Sequence, residues 1–181
     1  EATVTVEYIT WAGTATSGND FTNRSGTLTW LPGETDPKSF LVPVVNDTLD
    51  EFDETINVRL TNAANATISG NNPTLITIVD NDPLAAVSFS ATPYTVSENG
   101  TNKTVTVTIS AVSGKDVAIN YAASDGTATA GNDYSNTTGT LIWPKGTSGS
   151  KNFTVPIIED VLDEDDETVN ITLSSPSNAV V

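Results

Sequence analysis

The chain of 181 residues is long enough for two domains of roughly 100 residues, each with its own core. Its 23 acidic residues against 7 basic ones give a formal net charge of −16, which argues against nucleic acid and anionic membrane as partners and for cations. With no Cys and no His it has neither thiol nor imidazole chemistry, no disulfide and none of the usual zinc or copper ligands.

Period-two alternation runs along the whole chain and predicts strands. Val4, Val6 and Tyr8 alternate with polar neighbours, and Gly26-Thr-Leu-Thr-Trp30 follows. Phe40-x-Val42-x-Val44, Ile56-x-Val58-x-Leu60 and Ile76-x-Ile78 predict three more. Asp80-Asn-Asp82-Pro83 then marks a boundary, with Pro83 expected to end the strand before it. Beyond it come Val87-x-Phe89, Val105-x-Val107-x-Ile109, Val117-x-Ile119-x-Tyr121, Gly139-Thr-Leu-Ile-Trp143, Phe153-x-Val155-x-Ile157 and Val169-x-Ile171-x-Leu173. Thr, Val and Ile enrichment supports strands, and no segment shows a 3.6-residue period. No apolar run approaches the ~18 residues of a membrane helix, so no membrane insertion is expected.

The second half repeats the first. Thr14-Ala-Thr-Ser-Gly-Asn-Asp20-Phe21 returns as Thr127-Ala-Thr-Ala-Gly-Asn-Asp133-Tyr134, a constant offset of 113 residues that holds for every matched segment. The reading is two copies of one module, 1–82 and 83–181, cut from a longer array: the first lacks its N-terminal strands and the second its C-terminal strand. About seven short strands per full module, with turn glycines between them, predict tandem immunoglobulin-like antiparallel β-sandwiches, all-β. The very short linker predicts that they stack end to end.

What repeats most distinctively is acidic. Residues 47–54 carry five acids and 159–167 carry seven, together 12 of the 23. Two like charges about 4 Å apart repel by ~1 kcal/mol in water and ~4 kcal/mol near a protein surface, so packing such loops together favours a cation among them. Ca²⁺ takes oxygen ligands alone, and oxygen is what these residues supply. A single acidic run is usually a solvated face; two in the same register weigh against that reading. Asp50, Asp53, Asp163, Asp165 and Asp166 are expected to face solvent.

These motifs resemble the Calx-beta repeat of sodium–calcium exchangers and extracellular adhesion and matrix proteins. The Gly-Thr-Ala-x-x-Gly-x-Asp-aromatic run, the Gly-Thr-Leu-x-Trp strand, the Asp-x-x-x-Glu-x-x-Glu segment and the Asp80-Asn-Asp82 triplet carry the likeness. The resemblance implies Ca²⁺ bound by the acidic loops at one end of each sandwich. By motif it implicates Asp20, Asp47, Glu51, Glu54, Asp80, Asp82 and the Leu49 carbonyl in the first copy. In the second it implicates Glu98, Asp133, Glu159, Asp160, Glu164, Glu167 and the Leu162 carbonyl. Asn46 and Asn81 depart from the usual acids.

Trp30 and Trp143 sit at equivalent strand positions, which favours packing over sugar stacking; Trp11 is expected at the surface. Equivalent sequons at Asn23 and Asn136 are glycan acceptors if the source glycosylates. The expected function is a calcium-stiffened, non-enzymatic structural repeat of an extracellular or cell-surface adhesin, matrix or filament protein. Its expected partners are neighbouring repeats or identical subunits in a fibre. A regulatory Ca²⁺ sensor is the alternative, and a carbohydrate-active enzyme fragment fits least, because the acids cluster in terminal loops.

Overall fold

A computed structural model describes residues 2–181. The chain divides into two compact units, Glu1–Thr48 with Phe52–Asn81, and Leu49–Glu51 with Asp82–Val181. The first is built on β1 (Val4–Ala12), β2 (Ser25–Trp30), β3 (Glu54–Ala64) and β4 (Thr74–Ile78), one antiparallel sheet ordered β2-β1-β3-β4. Alternation decides which side is buried: Ile56 and Val58 of β3 point inward, and Ile56 stands opposite Ile76. Ala15, Phe21 and Ile56 form the small core, with Val42, Ile76 and Ile78 packed on it.

The second unit is a sandwich of two sheets. β5 (Ala85–Phe89), β6 (Asn102–Ile109), β9 (Ser150–Pro156) and β11 (Ala179–Val180) form one, ordered β11-β5-β6-β9. β7 (Val117–Asp125), β8 (Thr138–Trp143) and β10 (Val169–Ser177) form the other, ordered β10-β7-β8. Val105 and Val107 of one sheet and Val117, Ile119 and Trp143 of the other share the core. Trp143 is buried, with its indole N–H donating to the Gly149 carbonyl at 2.8 Å, as packing rather than sugar stacking requires.

The repeat survives in register. Val4 faces Trp30 across β1–β2, and Val117 faces Trp143 across β7–β8. Tyr8 stacks on Phe40 with ring centroids 3.8 Å apart, and Tyr121 on Phe153 at 3.9 Å. Each tyrosine lies opposite a glycine, Gly26 or Gly139, where a Cβ would strike the phenol ring, which is why the Gly-Thr-Leu strand opens on glycine.

Three expectations need correcting. Phe40–Val44 forms no strand, although Phe40 and Val42 pack as their counterparts do; Val44 makes only an isolated bridge to Phe21. Its counterpart β9 is a strand because β6 pairs with it, and residues 1–82 contain no equivalent of β6. A strand is a property of the pair, not of the alternation alone. Second, β4 ends at Ile78, five residues before Pro83, so Asp80 and Asp82 lie beyond the strand. Third, Asp50 is 3% exposed, not solvent-facing. Within the second unit its carboxylate accepts from Lys115 Nζ at 2.7 Å and Ser113 Oγ at 3.1 Å.

Candidate metal centre

In the second unit three loops converge on one end of the sandwich. The first, residues 126–134, is clamped to the chain just after Glu167. Thr127 N–H donates to Thr168 Oγ1 at 3.1 Å, Thr168 N–H donates to Thr127 Oγ1 at 2.8 Å, and Ala128 N–H donates to the Thr168 carbonyl at 3.1 Å. Gly126 permits this approach, since a Cβ there would overlap the Thr168 carbonyl. The loop then closes on itself: Asp133 Oδ2 accepts from Thr129 N–H at 2.7 Å, and Gly131 takes the positive φ of 92° that the turn needs.

The second loop leaves β9. Ile158 N–H donates to the Asp133 carbonyl at 2.9 Å and Ile157 N–H to the Thr101 carbonyl at 3.0 Å. Those two bonds bring the acidic run 159–167 against both Asp133 and the third loop, the 3-10 turn Glu98–Gly100. Asp160 Oδ1 accepts from Leu162 N–H at 2.6 Å, which curls the run back on itself.

The result is two overlapping groups of carboxylates. Glu98, Asp160 and Glu164 form one, Asp133, Glu164 and Glu167 the other, and in each the ligand oxygens lie within 4.8 Å of one another. Glu164 belongs to both. Partial loss of solvent raises its carboxyl above the ordinary range, helped by the charges of Asp160, Asp133 and Glu98. Glu167 is raised likewise, first by lost solvent, then by the charge of Asp133 and a hydrogen bond shared with it. The ion pairs Lys38–Glu34 and Lys115–Asp50 involve none of these acids. Lys103, on the rim nearby, spends its ammonium on the Thr95 carbonyl at 2.6 Å. Anionic oxygens gathered this way suit a hard divalent cation, and the set contains no nitrogen or sulfur.

The first copy carries Asp20, Glu51 and Glu54 at the matching positions of its sequence. They are the 113-residue equivalents of Asp133, Glu164 and Glu167. The same turn builds Asp20, whose Oδ2 accepts from Thr16 N–H at 2.5 Å. Of the other residues implicated by sequence, Asp47, Asp80, Asp82 and Glu159 fall outside the carboxylate groups. Asp80 N–H donates to Asp53 Oδ1 at 3.0 Å, and Asp160 Oδ1 accepts from the Leu162 amide.

One organising residue escapes the repeat. Asp125 Oδ1 accepts from Tyr134 O–H at 2.8 Å and from Ala130 N–H at 2.9 Å, pinning the loop that carries Asp133. Burial, then Asp125, pushes the Tyr134 phenol up to about 12. Asp125 stands where the first copy has Ala12, so comparing the copies passes over it.

The family model for the Calx-beta domain matches residues 1–82 and again 80–180. The chain belongs to the Calx-beta family. Sodium/calcium exchanger Calx of Drosophila melanogaster is 29% identical over 174 residues, 94% of this chain and 18% of the exchanger. Sodium/calcium exchanger 1 of Rattus norvegicus is 30% identical over 193 residues, 96% of this chain and 20% of the exchanger. The chain thus spans about a fifth of these relatives' length. The crystal structure of the apo-form Calx CBD1 domain is similar with a TM-score of 0.51 and 31% identity, over 55% of this chain and 87% of that one. Membership of this family makes the chain a Calx-beta module rather than an enzyme. Among the described residues no helix is long and apolar enough to cross a membrane.

Proposed function

We propose that this Calx-beta tandem binds Ca²⁺ through its acidic loops and that the ion rigidifies them. One observation carries the reading: Glu164 is shared by two carboxylate groups in a cluster drawn from three separate loops. Glu98, Asp133, Asp160, Glu164 and Glu167 would hold the metal in the second copy, and the first copy repeats Asp133, Glu164 and Glu167 in sequence as Asp20, Glu51 and Glu54. Bound Ca²⁺ supplies charge neutralisation and cross-links the loops through oxygen. The residues themselves do the positioning: the Thr127–Thr168 clamp and the Asp125–Tyr134 bond set Asp133 beside Glu167 before any ion arrives. Calorimetric titration of the chelator-stripped protein tests it. Saturable Ca²⁺ uptake that is lost in Glu164→Gln supports the reading, and no heat at millimolar Ca²⁺ overturns it.

The setting of this binding is a further part of the proposal. One setting is a stiffened structural repeat of an extracellular adhesin, matrix or filament protein, lying beside like repeats or identical subunits; the tandem and its acidic loops support it. A regulatory Ca²⁺ sensor is the second reading, and the exchanger relatives favour it. Flanking sequence separates the two: membrane spans on both sides support the sensor, further repeats the scaffold. Asn23 and Asn136, both exposed, are glycan acceptors only in the extracellular setting.

A further inference from the structure

Val6 and Thr10 of β1 point inward and are buried, so Ile9 and Trp11 point outward. They are 45% and 37% exposed, and Leu75 of β4, on the same face, is 60% exposed. Pairing gathers them into one patch. Trp11 stands opposite Asn57, Asn57 opposite Leu75, and Ile9 opposite Arg59, with neighbouring strands about 4.8 Å apart. The second copy shows which face this is. There Val117, Ile119 and Ala123 of β7 are buried in the core shared with the facing sheet, and Ala122 and Ser124, the equivalents of Ile9 and Trp11, lie on the other side of the strand. The patch is therefore on the outer face of its sheet, turned away from the side on which a facing sheet packs. Its equivalents are small or polar, Ala122, Ser124, Asn170 and Thr172, so it belongs to the first copy alone.

Charge sets this face apart as well. The outward positions of β1 to β4 carry one acid, Glu7, and one base, Arg59, so the face is neutral on a chain of net charge −16. Glu7 Oε2 accepts from Asn62 Nδ2 at 2.6 Å, and among the described residues no acid forms an ion pair with Arg59. We infer that two molecules of this chain associate through this face about a two-fold axis. Ile9, Trp11 and Leu75 form the centre of the contact, and Arg59 of each molecule meets Glu7 of the other. One acid and one base make the face its own electrostatic complement, and a two-fold contact uses the pair twice. A cationic partner is drawn instead to the acidic loops, and an anionic one is repelled by the chain as a whole. A sheet face is broad and shallow, which suits another such face and not a small molecule that needs a concave site. Trp and Arg are the side chains that most often carry an interface's energy. The inference deepens the identical-subunit setting proposed above by giving it a surface, and it does not depend on the cation site.

Sedimentation equilibrium of the 181-residue protein in EGTA, over a concentration series at low and high salt, tests it. The expected result is a monomer–dimer equilibrium that tightens as salt rises, because screening relieves the repulsion between two bodies of net charge −16. Trp11→Ser should weaken the dimer by about tenfold or more. Ser124 holds the same position in β7, so the strand tolerates that side chain. Arg59→Glu should weaken the dimer too, and adding Glu7→Arg should restore it, which a general loss of fold does not allow. A protein that stays monomeric at every concentration and salt overturns the second molecule as occupant. A dimer indifferent to Trp11→Ser, or one that Glu7→Arg fails to rescue, overturns this face while leaving identical subunits as partners.

Discussion

Glu167 and Asp133, carried by separate loops, place carboxylate oxygens within 4.8 Å of one another, and their counterparts Glu54 and Asp20 lie at the same 113-residue offset. Two carboxylates so close repel, and lost solvent followed by the charge of Asp133 raises the Glu167 carboxyl above its ordinary range. A cation between them relieves that repulsion and competes with protons for the same oxygens.

That sets the pH behaviour. Glu164 and Glu167 are both raised from the ordinary 4.5, so the folded, ion-free protein binds more protons than the unfolded chain. Their contribution costs nothing well below 4.5 and becomes destabilising as pH climbs through their raised values. Ca²⁺ binding has the opposite slope, weakening as pH falls through the same window. Titration at pH 7 and pH 5, with proton release measured in two buffers of different ionisation heat, checks both signs.

Ca²⁺ should raise thermal stability. An ion that binds only the folded state adds ~2.7 kcal/mol at 100 times its Kd. The expected outcome is a Tm several degrees higher in Ca²⁺ than in EGTA, while Mg²⁺, which demands tighter octahedral geometry, does less. Equal midpoints in Ca²⁺ and EGTA would falsify the cation site.

Glu164→Gln should act with opposite signs in the two conditions. It removes an acid from both groups, so Ca²⁺ affinity should fall by about tenfold or more. In EGTA the variant should unfold no earlier than wild type, because a repulsive charge is gone. Asp165→Asn, exposed and outside the groups, is the control and should leave affinity within about twofold.

Tyr134→Phe isolates the Asp125 bond. The first copy already has Phe21 at that position, fully buried, so the ring alone fits. Losing the phenol leaves Asp125 with the Ala130 amide and should cost about 1–2 kcal/mol. Urea unfolding measures that loss. A Ca²⁺ affinity that drops along with it would show that the bond positions Asp133, whereas an unchanged affinity would confine Asp125 to stability.

The strand pattern, the doubling and the acid-bearing loops were legible in the sequence, because each is local. Alternation marks a face and a constant 113-residue offset marks equivalence. The same offset relates Asp133, Glu164 and Glu167 to Asp20, Glu51 and Glu54, residues the motif had already brought forward. Chain order alone did not reveal which acids share an ion-sized space: Glu98 reaches Glu164 across 66 residues only because Ile157 bonds Thr101 and Ile158 bonds Asp133. Partnership was equally invisible. Phe40–Val44 alternates as well as Phe153–Ile157 does, but only the latter meets a strand that completes its hydrogen bonds. Asp50 reads as one more solvated acid until Lys115 and Ser113 are seen to bury it, and Asp125 has no counterpart to betray it. Periodicity settles which way a side chain points. What stands opposite it depends on how the chain returns, and only the tertiary structure decided that.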